Sequence, residues 1–256
     1  MLIDQIHHGD VLELNMQRPP VNALNPELVG EMIQAVLDAP QTSKALVISG
    51  REGLFSAGLD VRELMQLNRQ EMTVFWREFF ALLAAVARSP IPVAAAITGH
   101  APAGGAVLSL FCDYRVMSDG NFKIGLNETR VGLVVPEVIR LALERLTGPH
   151  KAELLIVEGA LITAEKALSC GMIDAIAQNP ESTVADAIAW CEGLLDLPSH
   201  AMLGNRTLAR RESCRQFDSV GEAEVASFVE GWFADDTQAV LQSVLDQLKN
   251  RSKTKA

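Results

Sequence analysis

The chain has 256 residues, enough for one sizeable core with or without an appended segment. Hydrophobic residues make up 48% and charged residues 21%, a globular mixture that excludes a disordered chain. The formal net charge of −10 repels phosphate backbones and argues against a nucleic-acid partner, while leaving room for a local basic spot beside the phosphates of a small ligand.

The N-terminus lacks a basic region followed by a long apolar run, so no signal peptide is expected. Val11-Leu-Glu-Leu-Asn-Met16 alternates and predicts a strand. Asn25-Pro26 predicts a helix start, with Asn as N-cap and Pro in the first turn, and the helix is expected to run to about residue 38. Residues 44–49 predict a buried strand ending at Gly50, and Phe55-Ser-Ala-Gly-Leu-Asp60 a glycine-bearing turn into a short helix over 61–67. A longer helix is expected over 71–88, where apolar residues recur at helical spacing.

Residues 92–98 predict the next strand, Gly99-His-Ala-Pro-Ala-Gly-Gly105 a second glycine turn, and 103–110 a helix. The stretch 89–111 carries no Asp, Glu, Lys or Arg and is long enough for a membrane span. Its prolines and glycines break it into strand, turn and helix instead, so no membrane partner is expected. Strands follow over 113–117 and 122–124, then Gly125-Leu-Asn-Glu128, helices over 136–146, 151–158 and 163–169, and a strand over 172–177. From Thr183 onward the pattern is helical, with Ser219-Val-Gly-Glu222 as a capping box and Asp235-Asp236 opening the last helix. Strands alternating with helices and then helices alone predict an α/β core with a C-terminal α-helical extension. The division is placed at 1–195 and 196–256.

Four cysteines, Cys112, Cys170, Cys191 and Cys214, stand far apart without a Cys-x-x-Cys pair. They fit thiols in a reducing, cytoplasmic setting and provide neither a disulfide frame nor a zinc site. The five histidines have no metal spacing, and His100 is assigned no role. No metal is expected.

The chemistry is concentrated in three segments. Each glycine turn follows a candidate buried strand and can aim backbone N–H groups, that of Leu59 among them, at one oxygen. Gly125-Leu-Asn-Glu128 supplies a carboxylate among apolar residues, which raises its proton affinity and suits a base for a weak carbon acid. Two amide donors and one carboxylate are what chemistry next to a carbonyl requires. Bland readings stand beside each: close helix-on-strand packing for Gly104-Gly105, an N-cap for Asp60, a helix N-terminal carboxylate for Glu128.

On these segments the chain resembles the crotonase superfamily, the enoyl-CoA hydratase/isomerase family. Phe55-Ser-Ala-Gly-Leu-Asp-Val-Arg-Glu-Leu64, Pro102-Ala-Gly-Gly105, Cys112-Asp-Tyr-Arg-Val-Met117 and Ile124-Gly-Leu-Asn-Glu-Thr129 are most similar to its mitochondrial-type 3-enoyl-CoA to 2-enoyl-CoA isomerases. The resemblance implies a crotonase-like spiral of repeated ββα units, trimerisation through the C-terminal helices as a homotrimer or dimer of trimers, and an acyl-CoA substrate whose coenzyme A is no separate cofactor. It assigns the N–H groups of Leu59 and Gly104 to an oxyanion hole and Glu128 to catalysis. It also places Ser56, Ala57, Gly58, Leu59, Asp60 and Gly104 in substrate binding. The chain departs from the family's hydratases at two places: their first glutamate aligns with Val107, and their Pro-Gly-Ala-Gly-Gly with Val134-Val-Pro-Glu-Val138. The expected activity is therefore double-bond isomerisation in fatty acid β-oxidation. The alternatives are hydration or another acyl-CoA reaction, and non-catalytic acyl-CoA binding.

Overall fold

The computed structural model describes residues 1–253. The chain opens with strands β1 (Ile3–His8) and β2 (Val11–Met16), then α1 (Pro26–Asp38), β3 (Ala45–Ser49), β4 (Gly53–Leu54), α2 (Val61–Leu64) and α3 (Arg69–Arg88). There follow β5 (Val93–Ile97), β6 (Gly99–Pro102), α4 (Gly104–Leu110), β7 (Tyr114–Ser118), β8 (Ile124–Gly125), α5 (Glu137–Thr147), α6 (Pro149–Val157), α7 (Ala164–Ser169) and β9 (Ala175–Ala177). Four helices end it: α8 (Pro180–Leu195), α9 (Ser199–Arg215), α10 (Glu222–Trp232) and α11 (Asp235–Lys253).

Helix starts follow the side chains that satisfy the first free N–H groups. Asn25 accepts from the Leu28 N–H at 3.0 Å with Pro26 next to it, while Asn68 with Glu71 and Asn179 with Ser182 form capping boxes. The box expected at Ser219 is not made. A 3-10 turn over Gln216–Asp218 precedes it, Ser219 takes helical dihedrals as its C-cap, and its hydroxyl donates backward to the Gln216 carbonyl at 2.7 Å. Gly221 is the N-cap of α10 without a side-chain bond.

The strands form two sheets, one of six in the order β1-β2-β3-β5-β7-β9 and one of three in the order β4-β6-β8. Only β1 and β2 pair antiparallel; the rest are parallel. The chain thus repeats one move: β3, β5 and β7 each lay a strand in the large sheet, and β4, β6 and β8 each follow in the small one. A helical segment then carries it to the next turn. β4 and β6 give no signal in the sequence because two to four residues are too few for a period-2 pattern, and of the strand expected over 122–124 only Ile124 is in a strand, β8. Most of the Gly99–Gly105 turn is in fact strand β6.

β5 shows why the central strands read as unbroken apolar runs. Val93, Ala95 and Ile97 enter the main core, while Ala94 and Ala96 face α8 across the sheet with Ala187 and Cys191. Both faces are covered, as parallel sheets require. Within 89–111 the chain forms β5, β6 and α4, and no described helix is long and apolar enough to cross a membrane.

The last helices are fastened to the spiral by side chains. Asp113 accepts from Arg206 at 2.9 and 3.0 Å and from Arg210 at 2.9 Å, all largely buried, which anchors α9. α10 lies on α3, where the Phe228 ring meets Trp76 at 3.9 Å between centroids. α11 reaches α2 and the 3-10 turn over Glu128–Val131.

Candidate active site

The first glycine turn is held from within. The Ser56 hydroxyl donates to the Asn22 carbonyl at 2.7 Å and accepts from the Gly58 N–H at 3.2 Å, and Ser56 is fully buried. Asp60 caps α2 through the Glu63 N–H at 3.1 Å and pairs with Arg18 at 2.8 Å. Gly58 has φ +84°, a left-handed conformation that favours glycine. A parallel bridge joins Leu24 to this turn, with the Leu24 N–H donating to the Gly58 carbonyl at 2.8 Å and the Asp60 N–H to the Leu24 carbonyl at 2.9 Å. Bridge geometry alternates, so the N–H of Leu59 points away from Leu24. It has no protein acceptor among the described residues.

The second turn runs from β6 into α4 through Ala103, whose φ of +45° and ψ of −121° are costly for a residue with a side chain. Its N–H donates to the Gly125 carbonyl at 2.8 Å and its carbonyl accepts from Val107 at 2.9 Å. These bonds hold the kink and leave the Gly104 N–H at the start of α4 without a protein acceptor among the described residues.

The two turns touch backbone to backbone. A Cβ on Gly58 would lie 3.0 Å from the Pro102 carbonyl oxygen and 3.2 Å from the Gly104 nitrogen, and one on Gly105 2.8 Å from the Ser56 carbonyl oxygen. Close packing and convergent donors, separate readings of the sequence, are here the same geometry.

Glu128 opens the 3-10 turn that follows β8. Its Oε2 is buried with no hydrogen-bond partner among the described residues. Burial raises its carboxyl to about 7, against a smaller opposing effect from its own backbone N–H. It is a helix-start carboxylate and it is also desolvated, so both readings of this residue hold.

These groups line one cavity of about 430 Å³. Ala57, Leu59, Asp60, Gly104 and Glu128 are on its wall, whereas Ser56 and Gly58 sit behind it and shape the turn. Val107 is on the wall and 2% exposed. His100 is away from the site, accepting from the Lys123 N–H at 3.2 Å and edge-on to Phe122. The rest of the cavity escapes sequence reasoning: Trp76 and Phe79 from α3, Phe228 and Trp232 from α10, Leu241 and Val244 from α11. Phe228 and Trp232 are one helical turn apart, a spacing that marks an apolar face without saying what it covers.

A family model described as enoyl-CoA hydratase/isomerase matches residues 7–252. This chain belongs to that family. It is 30% identical to human mitochondrial enoyl-CoA delta isomerase 1 over 97% of this chain and 83% of that protein. It is 36% identical to a probable enoyl-CoA hydratase, EchA17, of Mycobacterium bovis, over 74% of this chain and 72% of that protein. Among solved structures, human mitochondrial delta3-delta2-enoyl-CoA isomerase superposes with a TM-score of 0.92, covering 98% of this chain and 99% of that one at 27% identity. The crotonase-like spiral with its appended helices is therefore the fold of this chain, and the family supports an enzyme.

Proposed function

We propose that the chain converts a 3-enoyl-CoA to a 2-trans-enoyl-CoA, with Glu128 as acid and base and the N–H groups of Leu59 and Gly104 as the oxyanion hole. The family supports an acyl-CoA reaction at the coarser level. The observation that carries the finer one is the pairing of a single free carboxylate, Glu128, with apolar Val107 in the same cavity. Asp60, the other carboxylate of the lining, is occupied by a helix cap and by Arg18.

In this reading Glu128 removes a proton from the carbon next to the thioester carbonyl. The electron pair moves through the carbonyl, and the two N–H groups take up the charge on its oxygen. Glu128 then returns the proton to the γ carbon, and the double bond shifts by one position. Substrate and product hold the same atoms, so no oxidant or reductant enters. A carboxyl near 7 is matched to both halves of the transfer at neutral pH. Hydration would need a water held and deprotonated beside the β carbon, and the Val107 side chain has no polar atom to hold it. Trimer formation and a cytoplasmic setting belong to the same proposal, the first to be tested by sedimentation of the purified protein.

The test is the rate ratio of 3-enoyl-CoA isomerisation to 2-enoyl-CoA hydration with purified protein. Isomerisation much faster than hydration is expected. Equal rates would overturn the isomerase in favour of a hydratase, the activity for which the 36% identical relative is named. Tight acyl-CoA binding with no turnover of either substrate would leave a binding protein.

A further inference from the structure

We propose that α3 and α10 build an aromatic end wall in the acyl-CoA site, and that Phe228 and Trp232 confine it to acyl chains of medium length. This rests on the reading of the cavity as an acyl-CoA site. The cavity has two ends of different character. Pro20, Val21 and Arg62 are exposed and form its mouth, whereas Trp76, Phe79, Trp232 and Leu241 are each 2% exposed or less and form its inner end.

The inner end is closed by rings packed on one another. Trp76 meets Phe79 edge-on at 5.5 Å and Phe228 at 3.9 Å between centroids. It is therefore braced by its own helix and by α10, and cannot swing aside without unpacking that contact. The side chains facing inward there are apolar or aromatic, and their polar atoms are the indole N–H groups of Trp76 and Trp232, buried with no partner among the described residues; the rest of the lining suits a hydrocarbon tail. Their closure limits its length. An apolar cavity of about 150 Å³ holds one benzene. On that scale 430 Å³ takes roughly 17 non-hydrogen atoms, and since a sixteen-carbon acyl group with its carbonyl oxygen and sulfur already has about 18, the cavity holds a shorter tail.

The test compares kcat/KM for an eight-carbon and a sixteen-carbon 3-enoyl-CoA in the wild type, Phe228→Ala and Trp232→Phe. Binding of the saturated eight- and sixteen-carbon acyl-CoAs is followed in parallel by tryptophan fluorescence, since two of the three tryptophans line the cavity. The wild type is expected to favour the shorter chain by about tenfold or more, and Phe228→Ala to raise the long-to-short ratio by about tenfold. Trp232→Phe, a smaller ring-for-ring change, should move the ratio the same way by less. Ratios are insensitive to the fraction of a variant that folds. A wild type with equal or greater preference for the long chain overturns the wall, and a ratio unmoved in both variants overturns the assignment to these residues. Shorter-chain preference in binding without any turnover supports the wall while overturning the isomerase.

Discussion

The site has a floor and a roof, and they are held in different ways. The floor is made by the spiral: two turns locked by backbone hydrogen bonds and by glycines that admit no Cβ, with Glu128 at the head of a short turn. The roof is made by α10, seated through Phe228 on the aromatic stripe of α3, and by α11, which reaches α2 and the Glu128–Val131 turn and brings Leu241 to the cavity. At its edge Arg69, Arg77 and Arg88 of α3 pair with Glu230, Glu222 and Asp218, all exposed. The floor uses the part of the chain that every residue has in common, and fixes atoms to a fraction of an ångström. The roof uses side-chain volume, which many residues can supply. Changes in the floor should therefore strike the chemical step, and changes in the roof should shift which tail is accepted.

The largest effect should come from Glu128→Gln, with kcat lower by ~10²–10⁴-fold and acyl-CoA affinity little changed. Loss of less than tenfold would remove Glu128 from the chemistry. Thermal unfolding of the same variant separates a working carboxylate from a structural one. Burial raises the folded-state carboxyl to about 7, above its unfolded value, so the protonated form is the one the fold favours. The wild type loses that advantage as pH rises from the unfolded value through about 7, and Gln, which never ionises, does not. Glu128→Gln should therefore raise Tm relative to wild type more at pH 8 than at pH 5. A carboxylate that held the fold together would give the opposite order.

Next in size, Gly105→Ala should lower kcat by roughly 10²-fold, the scale of a misplaced oxyanion donor. Its Cβ would meet the Ser56 carbonyl at 2.8 Å, so one turn must move against the other. Gly104→Ala should be milder, since its tightest contact is the Leu24 Cδ1 atom, the end of a flexible side chain. Reversed ranking would show that the spacing of the turns does not control the rate. A smaller signature is the pH profile: kcat/KM should rise with pH and level off above about 7 as Glu128 ionises in the free enzyme. A flat profile across pH 5–8 would detach the base from Glu128.

The smallest effect marks the other side of the comparison. Arg77→Ala removes an exposed, solvent-screened pair with Glu222 and should leave Tm nearly unchanged, with kcat unchanged within twofold. A large loss of kcat would mean that the roof's edge reaches the floor.

Much of the floor is legible in the sequence. Asn25-Pro26 states a helix start through the chemistry of the cap, and β3 and β5 state burial through uninterrupted apolar residues. Glu128 stands out as a carboxylate among apolar neighbours. The capping box at Ser219 fails because a 3-10 turn takes that residue's backbone first. Sequence adjacency groups Ser56 and Gly58 with the residues that line the cavity, yet neighbours in a tight turn face opposite sides. The roof is illegible. Helical periodicity shows that Phe228 and Trp232 share a face, and nothing local says that Trp76, some 150 positions earlier, is what they cover.

By itself the sequence determined the longer helices and the central buried strands, the glycines at which the backbone must come close, and the chemical groups available. These depend on local dihedral preference, capping and hydrophobic period, which act over a few residues. Tertiary structure alone decided that the two turns abut, that Glu128 is desolvated to about 7, and that helices from the far end of the chain close its cavity. Each of those depends on distance and solvent exclusion between segments far apart in the chain, and such quantities exist only once the chain has folded.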